Sequence, residues 1–310
     1  MIRLLSFVAL FAAFWVQAEL PQVSSGKIKR LENFSSEYIP ARHVDIWLPP
    51  GYSSKKDYSV LYMHDGQMLF DANQTWNKQE WRVDEVASKL IAEGSTRPFI
   101  VVGVFNGGEA RHSEYFPQKP FASLTEAQQQ AEYARQRSEN HKLFSDKVYS
   151  DNYLKFLVYE LKPYIDKHFP VKSDRDNTFI MGSSMGGLIS IYALSEYPQT
   201  FAGAACLSTH WPGSFNQDSN PIPDAFLSYL EQHLPLPGKH RIYFDYGTET
   251  LDAWYPPLQA RVDNLMRQKG FTQNDWLTRE FAGADHSENA WAKRLHIPLQ
   301  FLLADKTQTP

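Results

Sequence analysis

The sequence predicts an α/β domain whose central, mostly parallel sheet carries helices on both faces. Three observations carry that expectation: short unbroken apolar runs, segments of helical periodicity between them, and a glycine-framed serine where one such run meets a helix. Strands covered on both faces read as continuous apolar runs rather than as alternation. Their interleaving with amphipathic helices is the pattern of two helical layers around one sheet. A chain of 310 residues, 43% hydrophobic, can bury one large core, so residues 19–310 are expected to form a single domain.

The first eighteen residues differ from the rest. Arg3 gives a positive start, Leu4 to Val16 is an almost unbroken apolar run, and Val16-Gln17-Ala18 ends it with a small-residue cleavage pattern. A bilayer span needs roughly 20 residues, and this run is shorter. The reading is a signal peptide, 1–18, cleaved after Ala18, leaving no stable membrane anchor and a periplasmic or secreted protein. Export usually favours disulfides, yet Cys206 is the only cysteine. Its apolar neighbours mark it as a buried structural thiol.

Val44, Ile46 and Leu48 alternate with His43, Asp45 and Trp47 up to Pro49-Pro50-Gly51, a strand stopped by a turn. Further strands are expected at 58–63, 99–104, 178–181, 204–207, 241–244 and 276–278. Apolar residues at helical spacing predict helices over 151–168, 258–269 and 289–303. The stretch 115–149 breaks the alternation. Rich in Gln, Glu, Arg and Ser, it reads as a polar insertion, helical or mobile, over the strand ends where α/β proteins bind ligands. It would serve as a substrate lid or as a solvated excursion.

Lysine and arginine number 31 against 35 acidic residues, a formal charge of −4. That balance gives no reason to expect nucleic acid or an anionic membrane as partner and points to a small substrate. No HExxH, paired CxxC or phosphate-loop pattern occurs, so no metal and no cofactor is expected.

The sharpest local signal is Gly182-Ser183-Ser184-Met185-Gly186-Gly187, set between the strand 178–181 and an apolar helix beginning at Leu188. A serine on a tight strand-to-helix turn stands clear of the backbone, with the helix N-terminus facing the charge that develops there. Only Ser184 has glycine two residues away on each side, which makes it the candidate nucleophile. A serine hydroxyl needs a base. Among the later histidines, His286 occupies a polar turn after the last strand and before the last helix. His296 falls on the packing face of that helix and is expected in the core, while His240 opens a strand, His233 sits in a loop, and His210 could line a pocket. The acid should lie between nucleophile and base, which leaves Asp252 and Glu249 on the loop after 241–244. Oxyanion donors are expected from the N–H of Met185 and from Gln67 or Met68 in His64-Asp65-Gly66-Gln67. His64 and Asp65 support that loop or contact substrate.

Trp76, Trp81, Trp211, Trp254 and Tyr255 lie near segments expected to rim the strand ends, with Trp211 the foremost candidate for a pocket wall.

With these residues in view, the chain resembles the esterase family of α/β-hydrolases that includes enterochelin esterases, feruloyl esterase domains, S-formylglutathione hydrolases and the antigen 85 mycolyltransferases. The resemblance spans nearly all of the chain beyond the leader. It rests on Leu48-Pro49-Pro50-Gly51-Tyr52, His64 to Gln67, Asn106-Gly107-Gly108 with Arg111, Glu114 and Tyr115, the Gly182 to Gly187 turn, Gly247-Thr248 with Leu251-Asp252, and Gly283 to Glu288. It implies a triad of Ser184, Asp252 and His286, the Leu-Asp pair favouring Asp252 with Glu249 still open. It also implies an acyl-enzyme route on an acyl ester, carbohydrate-linked in the leading reading. A siderophore trilactone esterase, an acyltransferase and a non-hydrolytic binding protein on the same fold are the alternatives.

Overall fold

The computed structural model describes residues 19–216 and 218–304, so the expected signal peptide lies outside the described residues. In chain order the strands are β1 (Lys27–Phe34), β2 (Arg42–Leu48), β3 (Ser59–His64), β4 (Phe99–Val104), β5 (Gln136–Ser138), β6 (His141–Lys142), β7 (Thr178–Ser183), β8 (Gly203–Leu207), β9 (Arg241–Gly247) and β10 (Trp276–Phe281). Apart from the β5–β6 hairpin they form one eight-stranded sheet in the order 1-2-4-3-7-8-9-10. The β1–β2 and β2–β4 pairs are antiparallel and every later pair is parallel. This is the α/β-hydrolase architecture.

Both faces of the central strands are buried, as unbroken apolar runs require. Leu61, Met63, Val101, Phe179 and Met181 pack on one face against α1 (Val83–Ala92), α10 (Glu288–Arg294) and α11 (His296–Leu303). Their neighbours Val60, Tyr62, Val102 and Ile180 pack on the other. That second layer contains α5 (Ser150–Lys155) and α6 (Lys162–His168), joined by a π-helical turn, with α7 (Met185–Glu196), α8 (Ile222–His233) and α9 (Pro256–Gln268).

Four local features depart from the sequence expectation. β1 went unforeseen because an edge strand can be polar, here Lys27-Ile28-Lys29-Arg30. The alternation in β2 suggests one wet face, but Asp45 is buried, its two oxygens held by the Arg30 guanidinium at 2.6 and 2.7 Å. Between α10 and α11 the chain breaks around Leu295. Pro298 has no N–H and fits only the first turn of a new helix. His296 begins α11 exposed, not in the core, because Leu295, Leu299, Leu302 and Leu303 occupy the packing face.

The insertion 115–149 is folded. It follows α2 (Arg111–Tyr115) and contains α3 (Gln118–Ala122), α4 (Glu126–Tyr133) and the β5–β6 hairpin. Thr125 and Gln128 close a capping box on α4. The rings of Phe116, Phe121, Tyr133 and Phe144 meet at centroid distances of 4.9 to 5.7 Å, which pins this polar segment from beneath.

Two buried charge systems tie the sheet to its surroundings. Arg42 on β2 forks onto Glu114 of α2 at 2.8 and 2.6 Å, and Glu114 also accepts the Gly107 N–H at 3.1 Å. Near the start of the described chain, Asp84 accepts the N–H groups of Ser24 and Ser25 at 2.7 and 3.1 Å beside Glu80 and Glu85. Burial, then its acidic neighbours, pushes the Glu80 carboxyl up to about 7 and that of Asp84 to about 6.

Arg42→Ala is expected to destabilise the protein by about 3–5 kcal/mol in chemical denaturation, because Glu114 is left charged and buried. The acidic group has its own pH signature. Both carboxyls bind protons more tightly folded than unfolded, so their contribution is full below the ordinary carboxylate pKa and fades as pH rises through about 6 to 7. Urea midpoints should therefore fall from pH 4.5 to 7.5 more steeply in the wild type than in Glu80→Gln.

Candidate active site

Ser184 sits between β7 and α7 with φ 56° and ψ −121°. A Cβ on Gly182 would lie 2.8 Å from the Gly186 carbonyl, so only glycine lets strand and helix meet around the serine. Ser184 is not alone in having a positive φ. Asp65 after β3, Ser208 after β8 and Thr250 after β9 also have positive φ, at 56°, 42° and 54°. Four strained non-glycine residues thus stand at the carboxyl ends of neighbouring sheet strands, where strain gathers at functional sites.

Met185 and Gln67 line the cleft here, and neither backbone N–H has an acceptor among the described residues. Met185 opens α7, so its N–H lies before the first helical bond. In the Asp65-Gly66-Gln67 turn, Met68 N–H bonds the Asp65 carbonyl at 2.8 Å, leaving that of Gln67 free. Gly66 is required there: a Cβ would lie 2.5 Å from the backbone of Gly103 on β4.

The structure brings His286 and Asp252 together. The His286 Nδ1 lies 2.5 Å from Asp252 Oδ1, and its backbone N–H donates to Thr250 Oγ1 at 2.9 Å. Asp252 is fully buried, and its second oxygen accepts from the Ser208 hydroxyl and the Gly247 N–H, each at 2.6 Å. Burial pushes its carboxyl up, but the bonds to His286, Ser208 and Gly247 outweigh that and hold it below the ordinary carboxylate range. Ser208 Oγ in turn accepts from Trp291 Nε1 and Arg294 Nη2, both at 2.9 Å, and Arg294 reaches Asp245 at 3.0 Å. Glu249 is exposed. Its main chain bonds Ala284 and Asp252, while its carboxylate makes no bond to His286.

Ser184, Met185, Gln67 and His286 line one cleft of about 660 Å³. Beside Ser184 the cleft is lined by His210, whose Nδ1 lies 2.9 Å from the buried Tyr255 hydroxyl. Asp65 lines the cleft too, with its oxygens engaged by Arg111 at 2.6 and 2.7 Å and by Asn106 at 2.6 Å. His64 lies beneath, bonded to the Tyr153 hydroxyl at 2.8 Å; burial lowers its pKa to about 3, so it is neutral. Its place is structural, not on the cleft wall.

Trp211 corrects the expectation of a pocket wall. It is buried, its Nε1 donating to Gln259 at 2.8 Å and its ring against Phe244. Successive side chains leave the backbone on opposite sides here, so His210 faces the cleft while Trp211 turns into the core. Trp76 and Trp81 do line the cleft, Trp76 with 85% of its surface exposed, whereas Trp254 does not. Sequence reasoning gave no role to Ser208, Arg294, Arg137 or Phe215. Of these, only Ser208 carried a hint, as a hydroxyl just past an apolar strand. Among the described residues no group of three or more His, Cys, Asp or Glu could hold a metal ion, and no helix is long and apolar enough to cross a membrane.

A family model described as "Putative esterase" matches residues 35–302. The chain belongs to this esterase family. An uncharacterized protein of Bacillus subtilis, YbbA, is 24% identical to the esterase over 86% of this chain and 95% of its own length. An endo-1,4-beta-xylanase/feruloyl esterase of Xylanibacter ruminicola is 25% identical over 60% of this chain, which corresponds to 22% of that protein. Among solved structures, a ferulic acid esterase of Anaeromyces mucronatus superposes with a TM-score of 0.61 at 18% identity, over 91% of this chain and 92% of that one. The enterochelin esterase of Shigella flexneri gives 0.60 at 17%, over 91% and 60%. The fold is theirs, and family membership assigns the esterase a hydrolytic, ester-cleaving class of activity.

Ser208→Ala in this esterase is expected to cost about 1–3 kcal/mol in denaturant titration, because Trp291 Nε1 and one Asp252 oxygen lose a buried partner.

Proposed function

We propose that this protein is a serine carboxylic-ester hydrolase using Ser184, His286 and Asp252. The observation that carries the reading is the His286–Asp252 bond of 2.5 Å in a cleft that also holds the strained Ser184. Ser184 Oγ turns to His286 Nε2, loses its proton to it and attacks the ester carbonyl. The N–H groups of Met185 and Gln67 receive the developing oxyanion. Protonated His286, steadied by Asp252, hands the proton to the departing alcohol, and water activated by the same base releases the acid.

For the substrate, an acyl ester linked to a carbohydrate is favoured. Trp76 and Phe215 present exposed aromatic surface to the cleft, suited to a sugar face or an aryl acyl group. Arg111 is neutralised by Asp65, which weakens the case for an anionic siderophore trilactone. Arg137 and Leu143 extend the insertion 115–149 to the cleft, supporting a lid-like wall. The leader 1–18 supports action in the periplasm or outside the cell.

With p-nitrophenyl acetate, feruloyl and acetyl-sugar esters, Ser184→Ala should lower kcat/KM by about 10³-fold or more and Asp252→Asn by on the order of 10²–10⁴-fold. Glu249→Gln should stay within about two-fold. Turnover that survives Ser184→Ala would sink the nucleophile. Free acid as the sole product in the presence of sugar acceptors separates hydrolysis from acyl transfer.

A further inference from the structure

We propose that Ser208 is a positioning residue of this reaction, a fixed hydroxyl donor that closes one oxygen of Asp252 and so commits the other to His286; this rests on the reading of Ser184, His286 and Asp252 as the triad. The hydroxyl has no choice of partner. Its oxygen accepts from Trp291 Nε1 and Arg294 Nη2, each at 2.9 Å, and a hydroxyl has two lone pairs and one proton. Both lone pairs are taken, so the proton goes to Asp252 Oδ2, at 2.6 Å. The Gly247 N–H donates to the same oxygen at 2.6 Å, which leaves Oδ1 to meet His286 Nδ1. An ionised carboxylate can only accept, so Nδ1 carries the imidazole proton and Nε2 keeps the lone pair that the mechanism requires. Ser208 is fully buried and holds φ 42°, a conformation that glycine adopts at lower steric cost. The side chain carried there at that cost supplies the hydroxyl that Asp252 uses.

The second donor also draws charge from the carboxylate. Without it Asp252 would hold a proton on His286 more tightly, and the base would be free only at higher pH. The other titratable groups around the pair stay in place when Ser208 is changed. Burial holds Tyr255 and His210 neutral, and Asp245 pairs with Arg294 at 3.0 Å. On the loop of His286 itself, Asp285 accepts from Ser287 and Glu288 from Asn77.

The test is the pH dependence of kcat/KM for p-nitrophenyl acetate, whose acid limb reports the base in the free enzyme. Ser208→Ala should move that limb up by roughly 0.5–1 pH unit, the equivalent of one hydrogen bond. Its rate deficit, about five-fold near the limb, should then shrink as pH rises. Structural damage alone would lower the rate at every pH and leave the limb where it was. A limb that is unmoved or lowered in folded Ser208→Ala overturns the proposal. Ser208→Gly removes the hydroxyl while relieving the backbone, so it carries the test should the alanine variant fail to fold. The same upward shift is expected there, and its absence is equally decisive against the role. Wild-type kcat/KM retained in Asp252→Asn instead overturns the triad itself, and the role of Ser208 with it.

Discussion

A buried carboxylate keeps its charge only if hydrogen bonds replace the water it has lost, and Asp252 meets that condition by drawing separate parts of the chain onto one side chain. Ser208 comes from the end of β8, Gly247 from the end of β9 and His286 from the loop after β10. Through Ser208 the same group reaches Trp291 and Arg294 of α10. The C-terminal half of the sheet, the last loop and the helix after it are therefore registered against one carboxylate, and the orientation of His286 is a by-product of that registration.

The opposite wall is built on a second ion pair. Asp65, in a left-handed conformation after β3, is gripped by Arg111 and Asn106, and Gly66 presses against β4 just before Gln67, which lines the cleft. Ser184 stands between these walls at the end of β7. Asp65 and Arg111 satisfy each other, so neither of those charges is free in a cleft that Trp76 and Phe215 also line.

The parallel strands, the turn around Ser184 and the candidate base were legible because each depends on local features: unbroken apolar runs, glycine spacing and a polar turn between strand and helix. Legibility failed where a role depends on partners far away in sequence. Asp252 and Glu249 are three residues apart on one loop, and only contact with a histidine 34 residues downstream distinguishes them. Trp211 and His210 are adjacent, and only the packing of α9 beneath the loop turns the tryptophan inward. Asp45 seems destined for solvent until Arg30 of an unforeseen edge strand covers it.

The sequence by itself determined the fold class and the identity of the strained serine, because hydrophobic periodicity and the steric demands of a tight turn are properties of neighbouring residues. Tertiary structure alone decided which acid meets His286 and how Ser208 and Arg294 hold that acid. Those are pairings across 34 to 86 residues of sequence, and a hydrogen bond over such a span exists only once the sheet has closed the distance.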